Sequence, residues 1–228
     1  MRPTRIRDLK MKKTVLNYLV IAALAVAAVF TSCGGGGIGG SSGKIKMTTE
    51  QGGVFYFDLA GSGTATVDWG DGSEKVMLTL NEYQVRFEHT YSNATIRTIT
   101  INGDDITSLN TFSNITSLDV SRCTELKNLY CVGQLTSLDV SKNTALTSLN
   151  VSSLQLTSLD VSKNIALSYL SVFGLFTADA LNALFGTLHN NTVPPVPEWR
   201  SAKIIYINNN SGEVGDRSIA ERKGWTFR

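Results

Sequence analysis

The chain has little of the chemistry that enzymes and zinc sites use. Its 228 residues include only two histidines, His89 and His189, together with three cysteines and four prolines. Neither histidine lies near a catalytic Ser or Cys motif, and the sequence has no HExxH or Walker motif. We therefore expect no catalytic residue, no metal site and no cofactor. Carboxylate pairs for glycoside hydrolysis need no local motif, so an accessory role in carbohydrate hydrolysis stays an alternative.

The N-terminal residues have the form of a secretory signal. Residues 11–33 read MKKTVLNYLVIAALAVAAVFTSC, with two lysines, a long apolar run and small residues before a cysteine. This ending resembles the lipobox of bacterial lipoproteins, and the resemblance implies that Cys33 becomes the lipidated N-terminus. The protein would then be anchored to the outer membrane of the cell envelope through its lipid. A plain signal or an uncleaved anchor helix is the alternative, because the apolar run approaches the length of a membrane span.

The charge of the chain changes sign once this leader is set aside. The formal net charge is +2, but six of the basic residues and one aspartate precede Cys33, which leaves 15 basic and 18 acidic residues after it. No basic cluster remains, so we expect no nucleic-acid partner. Glycine and serine dominate residues 34–43, which predicts a flexible tether between the membrane and the folded part.

Residues 44–103 alternate apolar and polar side chains in six short segments separated by glycine-rich turns, which predicts a small antiparallel β-sandwich. The segments VDWGDGS (67–73) and EHTY (88–91) resemble the two fingerprints of PKD-type, immunoglobulin-like domains. That resemblance implies core or corner roles for Trp69 and Tyr91 and a structural role for His89. It covers about sixty residues, so a strand is either missing or borrowed from the next unit. Asp71 is expected to make a tight turn and Asp68 to lie beside a strand end, with a calcium site formed by both as the alternative.

Residues 104–175 repeat one frame, LxxLxVxxN. The segment LTSLDVSKN occurs at 135–143 and 156–164, and ITSLDVSRC at 115–123 precedes it. Related half-units alternate with these segments, at 106–114, 126–134, 146–154 and 167–175. The full period is 20–21 residues. Leucines that keep a fixed phase while other positions vary exclude low-complexity filler. The pattern resembles the leucine-rich repeat, which implies a short solenoid of stacked coils.

Each half-unit is expected to contribute an extended segment with its Leu, Leu and Val pointing inward. Asn143 and Asn164 stand at the asparagine position of the repeat, where the side-chain amide bonds open backbone groups at the bend. Cys123 takes this position in the first coil, and Cys131 lies in a column of valines. We expect both cysteines to be structural thiols, because two cysteines make no disulfide framework and no zinc spacing is present.

The outward positions of the LDV half-units predict a candidate binding surface for a protein or a glycan. Its residues are Asp119, Asp139, Asp160, Arg122, Lys142, Lys163, Ser137 and Ser158. The alternative is a solvated face copied by duplication, because this surface lacks the aromatic anchors of binding sites. The other half-units carry Tyr130, Tyr169 and Phe173, which predict a secondary patch.

Residues 176–228 predict a β-α module that closes the repeats. Thr177 precedes an amphipathic helix with Leu181, Leu184, Phe185 and Leu188 on one face. A strand over 203–208, a turn at Asn210-Ser211-Gly212, a second helix behind Asp216 and a final strand at WTF complete it. The fold class is thus mainly β with some α: a small sandwich, a solenoid and a capping module.

The expected function is that of a non-catalytic binding or adhesion lipoprotein. A lipid anchor, a tether, a sandwich and a solenoid follow one another, so the sandwich would present the repeat surface to a protein or glycan. A periplasmic structural or assembly role with a protein partner is the alternative, because no acidic residue follows Cys33 in GGGGIGGSSGK. The membrane face, the ligand and the oligomeric state stay open.

Overall fold

The computed structural model describes residues 43–191, 203–209 and 214–228, all within one compact unit. The expected signal segment, Cys33, the tether up to residue 42 and the turn at Asn210-Ser211-Gly212 lie outside these residues. Within them the chain is mainly β, with two sheets and two short helices, as expected. Neither helix is long and apolar enough to cross a membrane.

Each of the six strands predicted between residues 44 and 103 is present. Their bounds are β1 Gly43–Thr49, β2 Gly53–Gly61, β3 Thr64–Asp68, β4 Val76–Thr79, β5 Val85–Tyr91 and β6 Arg97–Gly103. The later strands are β7 Ile106–Ile115, β8 Ser117–Asp119, β9 Asn128–Gly133, β10 Ser148–Ser153, β11 Tyr169–Gly174, β12 Ile204–Asn209 and β13 Thr226–Phe227. Helix α1 spans Ala178–Thr187, and α2 spans Ser218–Glu221. Strand β1 starts at Gly43, which the sequence had placed in the tether.

The antiparallel part encloses an aromatic core. The alternating residues that predicted its strands put one face of each strand inward, and five buried rings meet there: Phe55, Phe57, Trp69, Phe87 and Tyr91. The Tyr91 hydroxyl donates to the backbone carbonyl of Trp69 over 2.8 Å. The core roles predicted for Trp69 and Tyr91 are therefore confirmed. Gly72, beside Asp71 in the β3–β4 connection, has a φ of +84°, a backbone conformation that glycine adopts without strain.

Strand β7 joins the antiparallel part to the repeats. It pairs antiparallel with β2 on one side and parallel with β9 on the other. One sheet therefore runs in the order β13-β12-β11-β10-β9-β7-β2-β5 through the expected boundary at residues 103 and 104. The second sheet, β4-β3-β6-β1-β8, takes its edge strand β8 from the first LDV half-unit. Both sheets of the antiparallel part thus include a strand from the repeat region.

The half-units without LDV stack as parallel strands in the repeat register. Leu129 of β9 pairs with Leu149 of β10, which pairs with Leu170 of β11. Residues 20 or 21 positions apart in the sequence thus lie side by side, and all three leucines are buried. These columns form one continuous apolar core, because a single repeat cannot bury its apolar face without its neighbours.

The LDV half-units differ from one another in their pairing. Residues 117–119 form β8, but no strand is assigned within 135–143 or 156–164. The sequence had predicted extended segments in both halves of every repeat. The leucine and valine columns of these halves are nevertheless buried, and backbone hydrogen bonds such as Asn143 N–H to Val140 carbonyl, 3.0 Å, close a turn after each valine.

Asparagines link the turns of successive repeats. The side-chain amide of Asn143 donates to the carbonyls of Val120 and Cys123, and that of Asn164 donates to the carbonyls of Val140 and Asn143. All four donor–acceptor distances are 2.8–2.9 Å, and both asparagines are fully buried. The role predicted for these two asparagines is confirmed.

The C-terminal residues extend the parallel part of the sheet beyond β11 and add the two helices. The Thr177 hydroxyl accepts a hydrogen bond from the Ala180 N–H, which starts α1 as predicted. The four predicted residues are buried: Leu181, Leu184 and Phe185 lie in α1, and Leu188 directly follows it. Strand β12 pairs with β11 and β13 with β12, and the buried Trp225 donates its indole N–H to the His189 carbonyl over 3.0 Å.

Candidate functional site

Two surfaces of the repeat region carry the residues that the sequence singled out. We call the first the turn face; it consists of Asp119, Asp139, Asp160, Arg122, Lys142, Lys163, Ser137 and Ser158, all of them exposed. A depression of about 260 Å³ lies on it between the second and third LDV half-units. The structure therefore brings Asp139, Asp160, Ser137, Ser158 and Lys163 to one shallow site.

The aspartates of the turn face are engaged within their own half-units. Asp139 accepts from the Ser141 N–H over 2.8 Å, and Asp160 accepts from the Ser162 N–H over 2.7 Å. These backbone hydrogen bonds, helped by the serine hydroxyls, lower the pKa of both carboxyl groups. The neighbouring aspartate in the column opposes this effect but does not reverse it. Each aspartate thus has a structural task as a turn former.

The second surface lies on the parallel strands, and we call it the strand face. It is defined by two rows of residues that strand pairing places side by side. The first row is Ser108, Asn128, Ser148 and Tyr169, and the second is Asn110, Tyr130, Asn150 and Ser171. Side chains at these positions point away from the buried leucines, because successive residues of a strand face opposite sides of the sheet.

A groove of about 470 Å³ lies on the strand face. Seven of the eight residues of the two rows line it, the exception being Ser171, and Phe112 and Leu129 extend this floor. The antiparallel part contributes Ala60, Glu82 and Gln84. The groove therefore exists only because β7 joins the two parts of the sheet, and it is larger than the depression on the turn face.

The amides of the groove are available to a ligand. Within the part of the chain that the structure describes, the side chains of Asn110, Asn128 and Asn150 have no hydrogen-bond partner. Asn143 and Asn164, at buried positions of the same repeats, donate both amide hydrogens to backbone carbonyls. The repeats thus carry two sets of asparagines, one that holds the fold and one that faces solvent.

Aromatic side chains flank these amides. The ring centroids of Phe112 and Tyr130 are 5.4 Å apart, and Tyr56 stacks on Phe112 at 5.6 Å. On the far side of the groove, Tyr169 lies 5.7 Å from Tyr206 of β12. The secondary patch predicted from the sequence is therefore divided. Tyr130 and Tyr169 line the groove, whereas Phe173, next to Ser152 on the neighbouring strand, does not.

An ion pair lies beside the aromatic rings on the side of the antiparallel part. The Arg86 guanidinium binds both carboxylate oxygens of the buried Asp58, at 2.8 and 3.2 Å, and lies 4.5 Å from the centre of the Tyr56 ring. Because its charge is neutralised by Asp58, Arg86 holds the ring of Tyr56 in place rather than offering a free cation.

Most of the groove residues were missed by the sequence-based prediction. The prediction did not include Asn110, Asn128, Asn150, Phe112, Glu82 and Gln84. The three asparagines and Phe112 nevertheless occupy outward positions in half-units of the same kind as those that carry Tyr130 and Tyr169. The alternation within LxxLxV was a sufficient signal for them. No sequence signal pointed to Glu82 and Gln84, because they reach the groove only through the pairing of β2 with β7.

The two histidines of the chain occupy structural positions. His89 Nε2 lies 2.7 Å from a carboxylate oxygen of Asp71, and its ring stacks on Trp69 with a centroid distance of 5.0 Å. His189 Nε2 donates to the Leu167 carbonyl over 2.6 Å, and burial lowers the pKa of His189. The structural role expected for His89 agrees with these contacts.

The remaining metal-binding and nucleophilic candidates are also held by the fold. Cys123 and Cys131 are buried free thiols, and burial raises the pKa of Cys123 to about 11 and that of Cys131 to about 12. Asp68 accepts from the Gly70 N–H and pairs with Lys75 at 3.2 Å. Among the described residues, no group of three or more His, Cys, Asp and Glu side chains could hold a metal ion.

Comparison with known proteins adds no identification. No protein-family description matches the chain, and no curated protein or solved structure is significantly similar to it.

Proposed function

We propose that the chain is a non-catalytic binding protein of the bacterial cell envelope that holds a protein or a glycan on its strand face. The observation that carries this proposal is the groove, in which unpaired amides lie beside aromatic rings on strands that are paired on both sides. Aromatic anchors beside uncommitted polar groups are what small binding sites use for affinity and orientation. The lipid on Cys33 would keep this surface at the membrane.

The architecture that we propose is a PKD-like sandwich followed by a leucine-rich-repeat solenoid and a β-α cap. The buried positions of Trp69 and Tyr91 and the hydrogen bond from the Tyr91 hydroxyl to the Trp69 carbonyl support the first part, because the resemblance implied core or corner roles for these residues. The asparagine hydrogen bonds between turns and the register of 20–21 residues support the second. In this arrangement the sandwich does more than present the repeats, because its Glu82 and Gln84 form part of the binding surface.

The turn face is a second candidate surface within the same function. Its depression of about 260 Å³ combines hydroxyls, carboxylates and Lys163. The described residues that line it include no aromatic side chain, and its aspartates are committed to their turns. The strand face is therefore the better-supported surface, and variants of each face distinguish the two.

A periplasmic assembly role remains the second candidate function, supported by the absence of acidic residues directly after Cys33. Protease treatment of intact cells tests the membrane face. A surface-facing protein is digested under these conditions, whereas a periplasmic one survives until the outer membrane is permeabilised.

The binding proposal is tested with the full chain, purified in mild detergent and passed over immobilised serum glycoproteins, their deglycosylated forms and polysaccharides. We expect retention on at least one of these panels and loss of that retention in the Asn128→Ala/Asn150→Ala variant. Asn102→Ala, an exposed asparagine on β6 outside the groove, is the matched control and should be retained like the wild type. Absence of retention on every panel contradicts the proposal.

A further inference from the structure

Within the part of the chain that the structure describes, the lining of the groove contains no cationic side chain. Among these described lining residues, Glu82 is the one side chain charged at neutral pH, and the chain after Cys33 has more acidic than basic residues. The nearby Arg86 is paired with Asp58 through two hydrogen bonds. A phosphate-rich or sulfated ligand would meet a carboxylate and no unpaired positive charge here, so the lining fits a neutral ligand.

The backbone around the groove offers no site for strand addition. Strands β7, β9, β10 and β11 are each paired on both sides, so none of them is a free edge to which an extended peptide could add. An extended peptide gains affinity from such backbone hydrogen bonds or from apolar pockets for its side chains. The row that forms the middle of the floor is instead Ser108, Asn128 and Ser148. A peptide therefore finds no strand edge to pair with here, and the polar row beside the aromatic rings favours a ligand rich in hydroxyl groups.

The amides match a ligand rich in hydroxyl groups. A side-chain amide has two donor hydrogens and one acceptor oxygen, and a hydroxyl also donates and accepts. Asn110, Asn128 and Asn150 lie on neighbouring strands, which are about 4.8 Å apart. A chain of sugar residues that crosses the strands would meet one amide after another.

Aromatic rings lie on both sides of Asn150. Phe112 and Tyr130 are on β7 and β9, Tyr169 and Tyr206 are on β11 and β12, and Asn150 of β10 lies between them. The strand spacing puts the two aromatic pairs roughly 10–15 Å apart. Sugar rings carry an apolar C–H face that packs on aromatic surfaces, while their hydroxyls point outward toward polar groups.

We propose that the groove binds a neutral oligosaccharide chain that lies across the strands, with hydroxyls on Asn128 and Asn150 and sugar rings on Tyr130 and Tyr169. This inference rests on the proposed binding function and names its ligand class. Asn128 and Asn150 set orientation through hydrogen bonds, and the two tyrosines supply contact area.

Isothermal titration calorimetry of the full chain in mild detergent tests the inference. The probes are neutral hexasaccharides of glucose, mannose and xylose, with a heparin hexasaccharide as the charged comparison. We expect at least one neutral probe to bind and heparin not to bind. Asn128→Ala/Asn150→Ala and Tyr130→Ala should each weaken that binding by about tenfold or more, the equivalent of about one lost hydrogen bond or ring contact. Asn128→Asp, which keeps the shape but removes the donors, should weaken it as well.

The control variant is Asn102→Ala, which should bind like the wild type, and thermal melting should show that every variant is folded. Failure of all neutral probes to bind, or binding that the groove variants leave unchanged, overturns the saccharide inference. If the chain is then still retained on deglycosylated proteins and loses this retention in Asn128→Ala/Asn150→Ala, the strand face binds protein and the proposed function stands. If it is retained on no panel, the proposed function fails together with the inference.

Discussion

The side-chain amide of Asn164 donates to the backbone carbonyl of Asn143 over 2.8 Å, across one period of the repeat. Asn143 in turn donates to the carbonyl of Cys123 over the same distance. This series of side-chain hydrogen bonds ends at Cys123, which stands at the equivalent position of the first copy, because a thiol cannot donate two strong hydrogen bonds as an amide does. Two buried side chains, Asn143 and Asn164, therefore hold together the turns of the three LDV half-units.

Replacing Asn143 by Ala should destabilise the protein strongly. The substitution removes two hydrogen bonds and leaves the carbonyls of Val120 and Cys123 without these donors in a buried place. We expect the free energy of unfolding to fall by about 3 kcal/mol. Chemical denaturation measures it, with the exposed Asn102→Ala as control, which should change stability by less than about 0.5 kcal/mol. An equal effect of the two variants would contradict the structural role of Asn143.

Tyr91 should make stability depend on pH in the alkaline range. Burial raises the pKa of Tyr91 to about 12, compared with about 10 for an unfolded chain. The unfolded state therefore loses this proton first, and the stability that Tyr91 contributes is complete below about pH 10 and is lost by about pH 12. Denaturation at a series of pH values should show this decline.

The Tyr91→Phe variant isolates this contribution. It removes the hydrogen bond to the Trp69 carbonyl, so it should cost about 1 kcal/mol at neutral pH and show a smaller decline above pH 10. Tyr83→Phe, at a site that is 74% exposed, is the control and should retain the alkaline decline of the wild type. A decline in Tyr91→Phe as steep as in the wild type would refute the assignment.

Asp71 should contribute to stability at neutral pH and lose this contribution in acid. The hydroxyl and N–H of Ser73 and the ring of His89 hold the pKa of Asp71 well below its ordinary value. A lowered carboxyl pKa stabilises the fold above the unfolded pKa of about 3.9, and this contribution is lost as the pH falls below it. Asp71→Asn should therefore melt at a lower temperature than the wild type at pH 7, with a smaller difference at pH 2.5.

The matched control for Asp71 is Glu125→Gln, which removes an exposed carboxylate from the repeats. It should melt like the wild type at pH 7. If Asp71→Asn also melted like the wild type at pH 7, the contact between Asp71 and His89 would have no stabilising role.

Local sequence patterns predicted the elements and the contacts that depend on them. Alternation located the strands between residues 44 and 103, and the repeat period predicted which residues of β9, β10 and β11 are neighbours. The bonding of Asn143 and Asn164 followed from their position in the repeat. These features were predictable because each arises from side chains close in sequence or equivalent in the repeat.

The sequence offered a strand borrowed from the next unit as one of two possibilities, but it did not predict which strands join the parts. The pairing of β2 with β7 links residues about fifty positions apart and leaves no local pattern, so the continuous sheet and the contributions of Glu82 and Gln84 to the groove were missed. The two later LDV half-units also form no strand pairs, although their sequence is nearly that of β8. Strand β8 has the antiparallel partner β1, and the later copies have no such neighbour among the described residues.

The turn face should be dispensable for binding. Because Asp139 and Asp160 accept hydrogen bonds in their own turns, the Asp139→Ala/Asp160→Ala variant should lower the free energy of unfolding by about 1–2 kcal/mol while retention on the ligand panel is unchanged. Lys163→Ala, in the same depression, should leave both properties unchanged. Loss of retention in these variants would assign binding to the turn face instead.

The central claim, that this protein binds its ligand on the strand face, is tested most directly by comparing two folded variants on the same immobilised panel of glycoproteins and polysaccharides. The Asn128→Ala/Asn150→Ala variant changes only outward amides of the groove, and Asp139→Ala/Asp160→Ala changes only the turn face. Our account predicts that the first variant loses retention and the second keeps it. Equal retention of the first variant and the wild type, or loss of retention in the second alone, would contradict it.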